Sequence, residues 1–271
     1  LLTLKECMQT VYEDGPKRDR RLWIGDLYLE ALANAWSYKN HDLTKRCLYL
    51  LAALANDEGL LHATVLETPT PHPQNGTHCL DYSLLYNVAL LEYLKETGDK
   101  EVALDLWPVV VRQIEMALRQ YSDDWIYDMQ KKPIYWLVFD WKDNYDRQAS
   151  MQGLTAFSLE KSYELAKMLG KEKEAGDWPR IAGQIKKAAR KTFYDQKNGV
   201  IVLPITSVDD PIGDAYRQGR SKSDGHRPID ARRMLSGMSV RLSLCNGSLV
   251  EMWNAARGPF ALNQLLGRHG E

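Results

Sequence analysis

Charged side chains are concentrated in one short stretch near the start of the chain, between Glu13 and Asp26. The stretch holds three aspartates, three arginines, a lysine and a tryptophan, and apolar helical patterns precede and follow it. Connections between helices are usually short, so an ordered loop this long and this charged indicates a functional site. We interpret it as a carbohydrate active-site loop. The side chains expected to face a cleft are Asp14, Arg18, Asp19 and Asp26, with Trp23 as a flat face for a sugar ring.

The last acid of this loop also has a purely structural explanation. Asp26 follows Gly25 and could cap a helix beginning at Leu27, because a carboxylate accepts the free amides of a first helical turn. The spacing alone is compatible with both roles.

The pattern Asp-x-x-x-Arg-acid-Arg-x-x-Trp-x-Gly-Asp, over residues 14–26, resembles the signature loop of the bacterial α-L-rhamnosidases, glycoside hydrolase family 78. Thirteen residues with seven fixed types make a specific motif. Later stretches resemble other parts of the same catalytic domain, namely Leu80-Asp81-Tyr82, Leu91 to Asp99 and Phe139-Asp140-Trp141. The resemblance covers about residues 1–202.

This resemblance implies an all-α fold, an (α/α)6 barrel, and release of L-rhamnose from glycosides with inversion, without an organic cofactor. It also implies that Asp19, which follows Arg18, is the general acid. The residues implied to contact or line the sugar subsite are Asp14, Arg18, Asp26, Trp23 and Trp141. Asp140 belongs to the same cleft, unless it caps a turn while its aromatic neighbours pack. Asp81 is expected either to contact sugar or to cap its helix.

The general acid departs from the family pattern, which usually has Glu where this chain has Asp19. An inverting glycosidase needs an acid with a raised pKa and a second carboxylate about 6.5–9.5 Å away. Asp is one methylene shorter, and a misplacement of about 1 Å can slow catalysis roughly a hundredfold. The alternatives are a slow enzyme, another substrate, or a relative that binds sugar without turnover.

The general base is expected far downstream, where Glu251 precedes Trp253 by two residues. This setting resembles the family only faintly, and a surface glutamate on a helix explains Glu251 equally well. Residues 214–271 carry a net charge of +4 against −5 for the remainder. We expect residues 1–213 to form a partial barrel, and residues 214–271 to supply its remaining helices.

The composition limits the possible partners. The chain has 271 residues, a formal net charge of −1 and 44% hydrophobic residues, which is enough for one sizeable core. The near-neutral charge gives no reason to expect nucleic acid or a membrane surface as a partner. We expect a rhamnoside substrate and no metal, since His62, His72 and His78 have no standard ligand spacing. The four cysteines are widely separated and are expected to be free thiols.

The periodicity of apolar residues predicts helices separated alternately by long polar loops and short turns. Long loops on every second connection would gather at one end, which describes an (α/α) toroid with its cleft at one mouth. A stacked solenoid that binds protein partners is the alternative. The chain begins at Leu1 without Met, so we expect a piece of a longer polypeptide and predict no compartment. The predicted helices cover residues 1–12, 27–38, 43–55, 80–97, 101–121, 149–169 and 178–193. The helix over 43–55 is apolar on several sides and is expected to be buried between neighbours. Pro108 is expected in the first turns of the helix over 101–121, and a short strand is expected within residues 62–66.

Overall fold

The computed structural model describes residues 1–195, except positions 16, 18, 75, 134 and 140–145, and the backbone of the strand at residues 200–201. Helices dominate this part of the chain, and the strands are two or three residues long. The helices are α1 (Leu2–Cys7), α2 (Ile24–Ala35), α3 (His41–Ala53), α4 (Leu80–Thr97), α5 (Lys100–Asp105), α6 (Trp107–Leu118), α7 (Gln148–Leu169) and α8 (Trp178–Phe193). The strands are β1 (Leu22–Trp23), β2 (Thr64–Leu66), β3 (His72–Pro73), β4 (Tyr194–Asp195) and β5 (Val200–Ile201).

The helices are arranged in an inner and an outer row. Helices α2, α4 and α7 pack side by side, while α3, α6 and α8 pack against the outside of this row. Helix α4 is buried without a break from Leu80 to Leu91, and α8 buries only one stripe, which includes Trp178, Ile181 and Ile185. Inner helices must be apolar on several sides, whereas outer helices need one apolar face.

Helix α3 corrects one expectation from the sequence. Its apolar residues predicted a helix buried between neighbours, but only one face is covered, by residues such as Leu43, Cys47 and Leu51. Helix α3 therefore belongs to the outer row.

Within the described part of the chain, three long loops each lead into the N-terminus of an inner helix. They precede α2, α4 and α7, whereas the connections from inner to outer helices are short. The loops also contact one another. Strands β1 and β2 pair antiparallel with Trp23 opposite Thr64, and Cys79 forms a bridge with Trp136. The prediction that the long loops gather at one end is confirmed.

Several helix boundaries differ from those predicted. The first helix ends at Cys7 rather than residue 12. The helix predicted over 101–121 divides at Leu106, because Pro108 lacks an N–H and fits best in the first turn of a new helix. Helix α2 begins at Ile24, so Asp26 lies inside its first turn and does not act as its N-cap.

The core is continuous across both rows of helices. Cys7, Cys47 and Cys79 are buried free thiols, as predicted, while Cys245 lies outside the described residues. The short strand predicted within residues 62–66 is confirmed as β2. Over the described ranges, no helix combines the length and the apolar character needed to cross a bilayer.

Candidate active site

The charged loop is closed by two hydrogen bonds between Asp14 and Arg21, one between backbone atoms and one from the backbone to the Asp14 side chain. The Asp14 N–H donates to the Arg21 carbonyl at 3.0 Å, and the Arg21 N–H donates to Asp14 Oδ1 at 3.2 Å. Asp19 lies between these two residues and is exposed. Arg20 has a φ of +52°, a left-handed conformation that costs energy for a non-glycine residue. The closure therefore presents Asp19 to solvent on a constrained turn.

The exit of this loop is attached to the three-stranded sheet. Arg21 Nη1 donates to Gln74 Oε1 at 2.6 Å, and the Ile24 N–H donates to the Ala63 carbonyl at 3.0 Å. These contacts connect the first long loop to the second and hold the start of helix α2 in place.

The ring of Trp23 is positioned by Tyr82 of helix α4. The two rings meet edge to face, with centroids 6.3 Å apart and planes at 89°. A Cβ atom on Gly25 would lie 2.5 Å from Cζ of Tyr82, which is closer than any real contact. The glycine of the Trp-x-Gly-Asp pattern thus allows the Tyr82 ring to lie against helix α2 and to support Trp23.

Two buried polar atoms beside this ring pair have no hydrogen-bond partner among the described residues. They are Nε1 of Trp23 and Oγ1 of Thr64, which lie on facing residues of β1 and β2. A buried polar group that lacks a partner costs about 1–3 kcal/mol. A polar ligand that reached these atoms would recover that free energy.

Helix α2 contributes two acids one turn apart. Asp26 lies in the first turn, where the helix dipole stabilises negative charge. Glu30 follows four residues later and has an exposed fraction of only 5%. Burial, and then the neighbouring Asp26, raise the pKa of Glu30 well above its usual value, while the Cys7 thiol donates a hydrogen bond to it. Glu30 is not among the site residues predicted from the sequence, although its position three residues after Leu27 places it on the buried face.

Asp81 lies beneath the third long loop, with an exposed fraction of 1%. Its Oδ2 accepts the Val138 N–H at 2.6 Å, and its Oδ1 accepts the Tyr82 N–H at 3.0 Å. Burial raises its pKa to about 7. The expected N-cap role is wrong, because Cys79 occupies that position and the helix has no side-chain cap. A sugar contact would require this carboxylate to leave its amide partners.

The remaining predicted site residues cannot be placed. Arg18, Asp140, Trp141 and Glu251 lie outside the described residues. The structure therefore places Asp14 and Trp23 on one loop and Asp26 on the helix that follows it, with Asp19 exposed between Asp14 and Trp23 in the chain.

The loop histidines are engaged with one another or with the backbone. The rings of His62 and His78 lie 4.2 Å apart, and Nδ1 of His72 is 2.7 Å from the Thr70 carbonyl oxygen. In the part of the chain that is described, no group of three or more His, Cys, Asp or Glu side chains is placed to hold a metal ion.

The chain matches a known protein family over most of its length. The model of the bacterial α-L-rhamnosidase six-hairpin glycosidase domain matches residues 1–216. The chain belongs to this family. The six-hairpin glycosidase domain is an all-α toroid, so the predicted fold class is confirmed and the solenoid alternative is wrong.

Solved structures agree with this six-hairpin fold. A rhamnosidase from Klebsiella oxytoca with rhamnose bound is 36% identical, with a TM-score of 0.70, over 75% of this chain and 39% of that chain. A family 78 rhamnosidase of Bacillus sp. GL1 shares the fold at 21% identity, with a TM-score of 0.65, over 74% of this chain and 20% of that chain.

A curated relative of different activity also matches the six-hairpin domain. The N,N'-diacetylchitobiose phosphorylase of Vibrio proteolyticus is 24% identical in an alignment of 188 residues that covers 63% of this chain and 23% of that protein. The chain thus spans 39% or less of the length of each of these three relatives.

Proposed function

We propose that the chain forms the catalytic-loop side of an α-L-rhamnosidase that hydrolyses terminal α-L-rhamnosides with inversion. The observation that carries the proposal is the Asp14–Arg21 closure, which presents Asp19 to solvent just before the chain continues into Trp23 and Asp26. Family membership supports glycoside hydrolysis. The bound rhamnose of the Klebsiella oxytoca relative supports the choice of sugar.

The proposed mechanism needs two carboxyl groups on opposite sides of the sugar. Asp19 protonates the leaving glycosidic oxygen as the general acid, and Glu251 activates the attacking water as the general base. Asp19 suits this role because its exposed turn is open to a leaving group. The assignment of Glu251 depends on the sequence resemblance alone.

The subsite proposed for the sugar is built mainly from the first loop. The carboxylates of Asp14 and Asp26 accept hydrogen bonds from sugar hydroxyls. The indole of Trp23 offers a ring face for the sugar and a buried N–H donor. On the resemblance, further contacts come from Arg18, Asp140 and Trp141. The proposed mechanism uses no metal or organic cofactor.

A second candidate is a rhamnoside-binding relative that lacks turnover. It is favoured by one specific feature, the Asp at position 19 in place of the usual Glu. The shorter side chain would leave the sugar contacts intact and place the acid short of the leaving oxygen.

Release of chromophore from an aryl α-L-rhamnopyranoside separates these candidates, with proton NMR to read the anomeric form of the first product. Hydrolysis with inversion yields β-L-rhamnose first. Because one relative is named a phosphorylase, the assay should be repeated with added inorganic phosphate. A rate that requires phosphate would contradict hydrolysis, and rhamnose binding without any chromophore release would favour the binding relative.

A further inference from the structure

Glu30 is a buried acid to which the proposed mechanism gives no role. It lies on helix α2 with an exposed fraction of 5%, and its Oε2 has no hydrogen-bond partner among the described residues. Glutamate is almost never buried to this degree unless it is paired. The Cys7 thiol, at the end of helix α1, is the donor to its carboxyl group.

The charged side chains that act most strongly on Glu30 are all acids. Asp26 is the strongest of them, and the geometry of a helix places residues i and i+4 on the same face. Asp14 and Glu13 act on Glu30 from the charged loop. The titratable groups that interact electrostatically with Glu30, taken by element, are Cys7 of α1, Tyr12, Glu13 and Asp14 of the loop, Asp26 of α2, and Cys47 of α3.

Neighbouring carboxyl groups cannot all be ionised without a large electrostatic cost. At least one of these groups therefore keeps its proton. The proton stays on the group whose ionisation costs the most free energy, which is the most deeply buried one. Glu30 is that group, since burial is the largest cause that raises its pKa and the neighbouring acids raise it further.

We propose that Glu30 is a positioning residue that holds a proton at neutral pH and so allows Asp14 and Asp26 to remain carboxylates that accept sugar hydroxyls. This inference depends on the proposed sugar subsite. Loss of the proton would add a third negative charge where little water reaches, and repulsion among the three carboxylates would displace Asp14 and Asp26 from the positions in which they bind the sugar.

Substitution of Glu30 by Gln tests the proton directly, because Gln has the shape of the protonated acid and no charge. Infrared spectra of the full chain near neutral pH should show a protonated carboxyl band that is weaker in Glu30→Gln than in the wild type, while Asp81 contributes to the band in both proteins. Glu160→Gln is the matched control, since Glu160 is exposed and pairs with Lys186, so its removal should leave the band unchanged. An identical band in wild type and Glu30→Gln would overturn the proposal.

The effect on sugar binding is read from the pH dependence of L-rhamnose affinity, measured by calorimetry. The wild type should lose affinity as the pH rises through the range in which the Glu30 part of the infrared band, the part missing from Glu30→Gln, disappears. Glu30→Gln should match the wild type within about threefold at the acidic end and keep its affinity at alkaline pH. A purely structural glutamate would change the affinity equally at every pH, and this outcome would contradict the positioning role.

Two further controls keep the outcomes separate. Glu30→Met, which is also neutral and of similar length, replaces the Gln variant if that variant does not fold. If the wild type neither binds nor cleaves rhamnosides, the proposed function fails, and the infrared difference alone then decides whether Glu30 holds the proton.

Discussion

The Oδ2 atom of Asp81 accepts the backbone N–H of Val138 at 2.6 Å and so connects the first turn of helix α4 to the third long loop. The next residues of that loop lead to Asp140 and Trp141. The other oxygen of Asp81 accepts the Tyr82 N–H, and the whole carboxyl group is enclosed in the core. The structure thus gives Asp81 a positioning role, in which its carboxyl group holds the third long loop against the first turn of helix α4.

Replacement of Asp81 by Ala should release this loop. The Val138 N–H would be left buried without its acceptor, which costs about 1–3 kcal/mol of unfolding free energy. Asp81→Asn retains an oxygen acceptor and should lose less. Urea unfolding gives the free energies, and hydrogen exchange at the Val138 amide reports the loop. An amide that stays equally protected in the Ala variant would contradict the positioning role.

Stability should fall as the pH rises from about 4 towards 7. In this range the folded state keeps protons on Asp81, whose pKa is raised to about 7, and on Glu30, whose pKa is also raised. The unfolded chain has already released both protons. Their stabilisation is therefore complete below the unfolded pKa values and is lost as the pH rises through the folded ones. Each unit of pKa difference corresponds to about 1.4 kcal/mol.

Asp99 and Glu164 have lowered pKa values and change the stability in the opposite sense at lower pH. Both groups are present in the wild type and in Asp81→Asn, so the difference between these two proteins isolates the contribution of Asp81. The Asn variant should show a shallower decline between about pH 4 and pH 7. Parallel curves for the two proteins would show that Asp81 does not titrate in this range.

Substitution of Gly25 by Ala should displace the ring of Tyr82 and with it Trp23. The added methyl group would overlap the ring edge, and such overpacking typically costs about 1–3 kcal/mol. Gly183→Ala in helix α8 is the matched control, because no atom lies within 4 Å of its Cβ position and Ala favours a helix interior by about 1 kcal/mol. Thermal unfolding of both variants checks the prediction, and equal stability of the two would refute it.

Asp14 combines loop closure with a proposed sugar contact, and two variants separate these roles. Asp14→Asn keeps an oxygen that can accept the Arg21 N–H, so the loop should stay closed while the negative charge is lost. Asp14→Ala removes both. We expect weaker L-rhamnose binding in both variants, and increased proteolysis of residues 14–21 only in the Ala variant. Unchanged rhamnose affinity in Asp14→Asn would contradict the sugar contact.

The sequence predicted the features that depend on local patterns. Helix α4 begins and ends where expected because its apolar run is followed by Gly98, whose φ of +71° suits a helix end. The loop motif identified the family. The boundary at Leu106 was missed because Pro108 was assigned to the first turns of one long helix.

The features that depend on distant partners were not predictable from the sequence. Val138 lies 57 positions from Asp81, so the backbone contact that defines the role of this acid has no local signal. Glu30 was overlooked because the periodicity of α2 was judged from its apolar residues alone. Its hydrogen-bond donor, the Cys7 thiol, belongs to another helix.

The most direct test of the proposed activity is hydrolysis of an aryl α-L-rhamnopyranoside by the wild type and by Asp19→Asn. Turnover by the wild type that is lost in Asp19→Asn, with L-rhamnose affinity retained, is the predicted result, because the amide cannot donate the proton to the leaving oxygen. Full activity of Asp19→Asn would contradict the assignment of the general acid. Saturable rhamnose binding with no turnover by the wild type would instead identify a sugar-binding relative.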